Sequence, residues 1–236
     1  KTTTLYASLK RIFDPHKKII TIEDPVEYEL EGINQIPVNH KRGLDFAGGL
    51  RSILRQDPDI VLVGEIRDGE TADIAIRSAL TGHLILSTLH TNDAPQSITR
   101  LANMGVPPYN IVSAVHMVMA QRLARTLHKC KVPEDELPAE ALKKTGFTDE
   151  EIEEGLQLYQ AKGCNMCNEG YKGRSGVFQV MPVTEAIAEL IVQNAGQEAI
   201  EKQALAEGVM TMRQAGLVKV RAGITSLEEI LRVTDN

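Results

Sequence analysis

The sequence predicts an α/β protein with a mostly parallel, doubly wound central sheet. Three observations point there. Short aliphatic, β-branched runs recur at Ile19–Ile22, Ile60–Val63 and Leu84–Leu89; a polar loop follows each; and helix-spaced apolar residues flank these units. Strand, polar loop and helix in repeated succession build a parallel sheet whose polar loops gather at one edge, beyond the carboxyl ends of the strands, where ligands bind in such folds.

The first helix runs from Lys1-Thr2-Thr3-Thr4-Leu5-Tyr6 through Ala7, Leu9, Lys10 and Ile12 until Asp14-Pro15 stops it. Lys1 and Thr2 match the tail of G-x-x-x-x-G-K-[ST], in which the lysine reaches the β- and γ-phosphates, the hydroxyl serves Mg²⁺ and the helix N-terminus faces the anion. Taken alone, any helix can open on Lys and Thr. The strand Ile19–Ile22 ends in Glu23-Asp24-Pro25-Val26-Glu27, three carboxylates that either hold a hydrated Mg²⁺ or form an Asp-Pro turn. Residues 30–42 read as an extended excursion through Ile33, Ile36 and Val38. Phe46–Leu54 reads as a helix with Leu50, Ile53 and Leu54 on one side and Arg51 and Arg55 on the other.

Ile60–Val63 is apolar throughout, as a strand covered on both faces must be, and Pro58 before it cannot join a ladder. Gly64 allows a tight turn and delivers Glu65 to the strand's carboxyl end, as a site residue or as a solvated acid. Glu70–Leu80 follows as a helix ended by Thr81-Gly82. The strand Leu84–Leu89 is bracketed by His83 and His90, each either a phosphate-facing group or a hydrogen-bonded strand cap. Gln96–Met104 and Ile111–Leu127 read as helices, the second apolar through Val112, Val115, Val118, Met119 and Leu123.

Residues 133–162 are charged with helical spacing, and the acidic run from Asp149 to Glu154 reads as a solvated face. Cys164-Asn-Met-Cys167 suits metal or redox work. Gly176–Val180 returns as a strand, and short helices follow over 184–192, 198–207, 212–221 and 226–233. Ser226-Leu-Glu-Glu229 fits a capping box.

Composition narrows the function classes. A formal charge of −6 leaves no footprint for general nucleic-acid binding. No apolar run approaches the roughly 20 residues of a membrane span, and nothing resembles a signal peptide. Three cysteines, an odd number, make no disulfide framework and suit a reducing cytoplasm.

KTTTLY, IITIEDPVEY, LRSILRQDPDIVLVGEIRDGETADIAIRSALTGH and LILSTLHTNDAP, in this order and spacing, resemble the secretion ATPase family that drives type II secretion and type IV pilus assembly. The likeness runs over residues 1–127 and resumes over 163–183. It implies a RecA-like P-loop NTPase core with a mostly parallel central sheet, a small cysteine-containing insertion and a helical C-terminal tail. The divisions expected are 1–127 for the core, lacking its N-terminal portion, 128–175 for the cysteine-containing subdomain and 176–236 for the returning strand and helices. The implied chemistry is Mg²⁺-dependent ATP hydrolysis. Lys1, Thr2 and Thr3 close the nucleotide-binding loop, Glu23, Asp24 and Glu27 lie in the Asp box, Glu65 is the catalytic glutamate, and His83 to His90 form the His box. Glu65, His90, Glu23 and Glu27 are the catalytic candidates; Lys1, Thr2, Thr3, Asp24 and His83 are the nucleotide-binding ones; Thr2 and Glu65 serve Mg²⁺, partly through water. Gly64 stands where many other P-loop enzymes carry a metal-holding Asp.

The resemblance also implies a cytoplasmic homohexamer at the inner face of the membrane, working on an inner-membrane platform protein and not on nucleic acid. Asn92-Asp93-Ala94-Pro95 leans toward the pilus-assembly branch. The family's remaining loop glycines and arginine fingers lie in an amino-terminal portion, so the chain is expected to be the carboxy-terminal part of a longer protein. Relatives close a Zn²⁺ site with two C-x-x-C pairs. Here the first is reduced to His128-Lys129-Cys130, so His128, Cys130, Cys164 and Cys167 are either a Cys₃His zinc set or a decayed site of free thiols. The alternatives to a pilus-assembly motor are a type II secretion ATPase, a nucleotide-binding switch without turnover, and a DNA-translocating ATPase of the conjugation type.

Overall fold

The computed structural model describes residues 1–135 and 137–235. Glu136, within the charged stretch, lies outside the described residues. The chain divides into two compact units, residues 1–91, 95–118 and 182–203 in the first, and 92–94, 119–181 and 204–235 in the second.

In the first unit, α1 (Thr2–Ile12) leads to β1 (Ile19–Glu23), β2 (Asn34–Pro37), a 3₁₀ turn at His40–Arg42 and α2 (Phe46–Leu54). Then come β3 (Ile60–Val63), α3 (Gly69–Leu80), β4 (Leu84–Ser87), α4 (Ala94–Asn103) and α5 (Pro108–Ala114). The four strands form one parallel sheet in the order β2-β1-β3-β4, with Ile20 opposite Val61 and Val61 opposite Ile85. Every residue of β1 and β3 is buried, as a parallel sheet covered on both sides requires. One face is covered by α1, whose Tyr6 and Leu9 pack with Ile19, Leu30, Ile60 and Leu62. Each fully buried Leu or Ile here contributes about 1.5–3 kcal/mol. On the other face α2 lies close against β1, and Gly49 makes this possible: a Cβ there would meet Ile22 Cδ1 at 1.9 Å. Asp45 and Asp68 cap α2 and α3 by accepting from Gly48 N and Thr71 N.

The segment read as one helix over 111–127 is not one. The helix stops at Ala114, Val115 turns extended, and β5 (Met117–Leu127) follows. Its buried residues, Ala120, Ala124 and Leu127, are spaced by four and three, which imitates a helical period. The decisive partner is β8 (Tyr171–Pro182), some fifty residues away, with which β5 forms a two-stranded sheet. Tertiary pairing overrides the local pattern.

In the second unit, β6 (Val132–Pro133) pairs antiparallel with β7 (Tyr159–Gln160), and between them lie α6 (Ala139–Thr145) and α7 (Asp149–Glu153). After β8 come α8 (Glu185–Val192), which belongs to the first unit and packs on α5, α9 (Gln197–Ala206), most of which also belongs to the first unit, then α10 (Met212–Arg221) and α11 (Leu227–Thr234). The second unit's core joins Ala124, Leu142, Phe147, Leu158, Val177, Leu217, Val220, Leu227 and Ile230. Only half of the expected capping box at Ser226 forms. Ser226 Oγ accepts from Glu229 N, but the Glu229 carboxylate turns instead to Arg125 and Arg232. Among the described residues no helix is long and apolar enough to cross a membrane.

Candidate functional site

The carboxyl ends of β1, β3 and β4 and the start of α1 line one cleft, which holds Lys1, Thr2, Tyr6, Glu23, Asp24, Glu27, Gly64, Glu65, Thr88 and His90. The parallel register makes this convergence necessary, because all the strands end on the same side. Beyond the ladder, two side chains fasten β3 to β4. Ser87 Oγ donates to Val63 O and Thr88 Oγ1 to Gly64 O, both at 2.8 Å. Ile66 N donates to Thr88 O at 2.9 Å. Glu65 and His90 are thereby held within reach of each other.

Glu65 is largely buried, its side chain 12% exposed, and both of its oxygens are engaged. His90 Nε2 lies 2.9 Å from Oε2, and Arg67 Nη2 lies 2.6 Å from Oε1. Burial pushes the Glu65 carboxyl up, but the hydrogen bonds from Arg67 and His90 outweigh it and hold the group below its ordinary value. Glu65 is thus an ionised acceptor at neutral pH, and a carboxylate with about four lone-pair sites keeps capacity for a water proton. Sequence reasoning missed Arg67; its signal was the spacing of two residues from Glu65 on the same loop.

The acids after β1 are arranged differently. Glu23 is 3% exposed and accepts from the Tyr6 hydroxyl at Oε2 and from Thr21 Oγ1 and Gln35 Nε2 at Oε1. Asp24 Oδ2 lies 3.5 Å from His40 Nε2. Gly64 approaches this strand end closely: a Cβ there would sit 3.3 Å from Glu23 Cα and from Ile22 O. Lys1 Nζ donates to Leu89 O, placing the ammonium beside the β4 loop.

Two candidates are not brought to the cleft. His83 precedes β4, at the opposite end of the strand from His90, and its Nδ1 lies 3.0 Å from Ser78 O and 3.2 Å from Thr81 Oγ1. Its ring bonds go to the end of α3 and not to β4. Thr3 is exposed on α1, one residue round the helix from the cleft-lining Thr2.

The second unit carries a separate group. His128 Nδ1 lies 3.3 Å from Cys130 Sγ and 3.4 Å from Cys164 Sγ, while Cys167 Sγ lies 3.8 Å from Cys130 Sγ and 3.5 Å from Cys164 Sγ. All four donor atoms fall within 4.8 Å of one another. Zn–S bonds near 2.3 Å and Zn–N bonds near 2.0–2.1 Å give tetrahedral edges of about 3.6–3.8 Å, and the four distances above, 3.3–3.8 Å, are close to those edges. Cys164 N donates to Cys167 Sγ at 3.2 Å and Met166 N approaches Cys164 Sγ at 3.5 Å, backbone contacts that orient the two sulfurs. His128 N donates to Gly170 O at 2.8 Å, tying the two loops together. Burial pushes the Cys130 thiol up, whereas at Cys167 burial is outweighed by hydrogen bonds from Cys164 and Gly170, which hold it below its ordinary value.

A fully parallel sheet that collects a lysine, a hydroxyl, several carboxylates and a histidine at its strand ends, behind a helix N-terminus, defines a RecA-like α/β core of the P-loop nucleotide-binding class. Comparison with known proteins narrows the class. The chain belongs to the Type II/IV secretion system protein family, whose model matches residues 1–232. It is 50% identical to the type IV pilus assembly ATPase PilB of Acinetobacter baylyi, over 99% of this chain and 41% of that protein. It is also 50% identical to the type II secretion system ATPase E of Vibrio cholerae, over 99% of this chain and 46% of that protein. The chain therefore spans less than half the length of these relatives. Among solved structures, the pilus retraction motor PilT with bound ADP matches with a TM-score of 0.72 at 26% identity, covering 100% of this chain and 58% of that one.

Proposed function

We propose that this chain carries the hydrolytic site of an ATPase that powers type IV pilus assembly. The observation that supports it best is the convergence of Lys1, Thr2, Glu65 and His90 on one cleft, with Glu65 ionised and largely buried at its wall. Lys1 and the start of α1 bind the triphosphate, Thr2 and the Glu65 side orient a hydrated Mg²⁺, and Asp24 and Glu27 add negative charge at the same rim. Mg²⁺, when bound, neutralises charge developing on the phosphate oxygens. Glu65 accepts a hydrogen bond from the attacking water and orients it, while His90 and Arg67 hold the carboxylate in place. Work of this kind is positioning and electrostatics, with no covalent step on the protein.

In the second unit, we propose that His128 Nδ1, Cys130, Cys164 and Cys167 hold a structural Zn²⁺, supported by the closeness of the four donor atoms. Four protein donors leave no open position for catalysis. The segments 1–127, 128–175 and 176–236 would then serve as core, zinc-bearing subdomain and helical tail. On the family resemblance of its motifs we further propose that the complete protein works as a cytoplasmic homohexamer at the inner face of the membrane, against a platform protein there. The assembly branch is favoured over secretion by Asn92–Pro95, since identity to the two branches is equal.

The test is phosphate release by the complete protein and its Glu65→Gln variant. Turnover by the wild type and its loss in the variant, with nucleotide still bound, is the expected result. Equal release from both would overturn the assignment.

A further inference from the structure

We infer that Tyr6 is a positioning residue for the hydrolytic site, fixing Glu23 and the loop over residues 24–30 in register with the phosphate end of α1. The inference rests on the ATPase reading above. Tyr6 stands four residues after Thr2, so the two share a helix face and both line the cleft. A phenol has one donor and two acceptor sites, and all three are used. The hydroxyl donates to Glu23 Oε2, accepts from Glu27 N at 3.3 Å, and accepts from Gln35 Nε2 at 3.1 Å. One atom thus joins α1, the end of β1, the acidic loop and β2.

Gln35 completes the fastening. Its Nε2 also reaches Glu23 Oε1 at 3.2 Å and Tyr28 O at 3.2 Å, and its Oε1 accepts from Leu30 N at 2.6 Å. Tyr28 adds an edge-to-face contact with the Tyr6 ring at 4.7 Å between centroids. Glu23, grouped with the catalytic acids by family likeness, has both oxygens taken inside this network. It acts on the reacting atoms through the positions it imposes on Asp24 and Glu27. Burial, and next the hydrogen bond with Glu23, push the Tyr6 phenol up to about 12, so it remains a donor across the working pH range.

Removing only the hydroxyl separates this role from packing, because Tyr6→Phe keeps the ring. In the complete protein, Tyr6→Phe is expected to lower kcat about 10- to 100-fold, the scale of a sub-ångström to 1 Å misplacement. KM for ATP should stay within about 3-fold, because Lys1 and Thr2 are untouched. Thr21→Val, which removes one donor to Glu23 but leaves Glu27 N its acceptor, should lower kcat less. A residue that merely fills the core would leave kcat unchanged in Tyr6→Phe. That result, with an active wild type and an inactive Glu65→Gln, would overturn this inference while leaving the ATPase reading intact. A wild type that releases no phosphate would overturn both. Should Tyr6→Phe fail to fold, Gln35→Met carries the same test: a lower kcat at constant KM supports the inference, and an unchanged kcat overturns it.

Discussion

The cleft of the first unit and the Cys/His group of the second are built by opposite means. In the cleft, residues as distant as Thr2, Glu65 and His90 are set in place by parallel strands, and the key side chains have protein partners: Glu65 takes Arg67 and His90, and Glu23 takes Tyr6, Thr21 and Gln35. In the Cys/His group the donors come from two loops, and Cys164 is exposed. The four donor atoms lie within 4.8 Å of one another, with the Cys164 and Met166 N–H groups also against the sulfurs; under the zinc proposal such a set gains stability when a cation sits among its donors. The first site is preorganised by parallel strands; the second is a set of soft donors gathered from two loops.

The largest effect expected of any single change breaks the first half of that contrast. Glu65→Gln keeps the side chain's shape, so binding of a nucleotide analogue should stay within about 3-fold by calorimetry while turnover falls about 10³-fold. The second half is sharpened by Cys164→Ser and Cys167→Ser. Metal analysis should find about one zinc per wild-type chain and background in each variant, and the variants should melt lower by about 5 °C or more. Chelator should reproduce the shift in the wild type and leave the variants unmoved.

A smaller effect falls on the second unit's buried ion network. Burial raises the Glu229 carboxyl, but Arg232 and Arg125 override it and bring it down to about 2. A depressed carboxylate stabilises the fold above its unfolded value, and the contribution is lost as pH falls through the folded one. Glu229→Gln should therefore cost about 3 kcal/mol at pH 7. In denaturation series the gap to the wild type should narrow between about pH 4.5 and 2, the window set by the ordinary and folded values. The smallest effect is at His83. Because it bonds Ser78 O and Thr81 away from the cleft, His83→Ala should change kcat and KM less than about 2-fold. A larger loss would mean that the cleft extends beyond the carboxyl ends of the strands.

The buried strands of the first unit were legible because their burial demands unbroken aliphatic runs, and many of the helices because their apolar residues recur at helical spacing; the caps at Asp45, Asp68, Thr184 and Thr211 became visible only in the structure. The gathering of Lys1, Glu23, Glu65 and His90 was expected from the repeated strand, polar loop and helix, which places such loops at one edge of a parallel sheet. What escaped depends on partners far along the chain. β5 resembles a helix until β8 is beside it, and Glu229 looks like a capping-box acid until Arg125 arrives from 104 positions away. The role of Tyr6 was hidden in the same way, since a tyrosine in an apolar stripe reads as core until Glu23 and Gln35 are seen around its oxygen.

Gly64 carries one more consequence. With 3.3 Å between a hypothetical Cβ and the main chain of the adjoining strand, two backbones share the room that a side chain would need. An aspartate grafted there would press its Cβ on the main chain of Ile22 and Glu23, which would have to give by a few tenths of an ångström. The glycine lets the two main chains approach at the rim of the cleft, and the first charged oxygen beyond β3 is the one Glu65 carries.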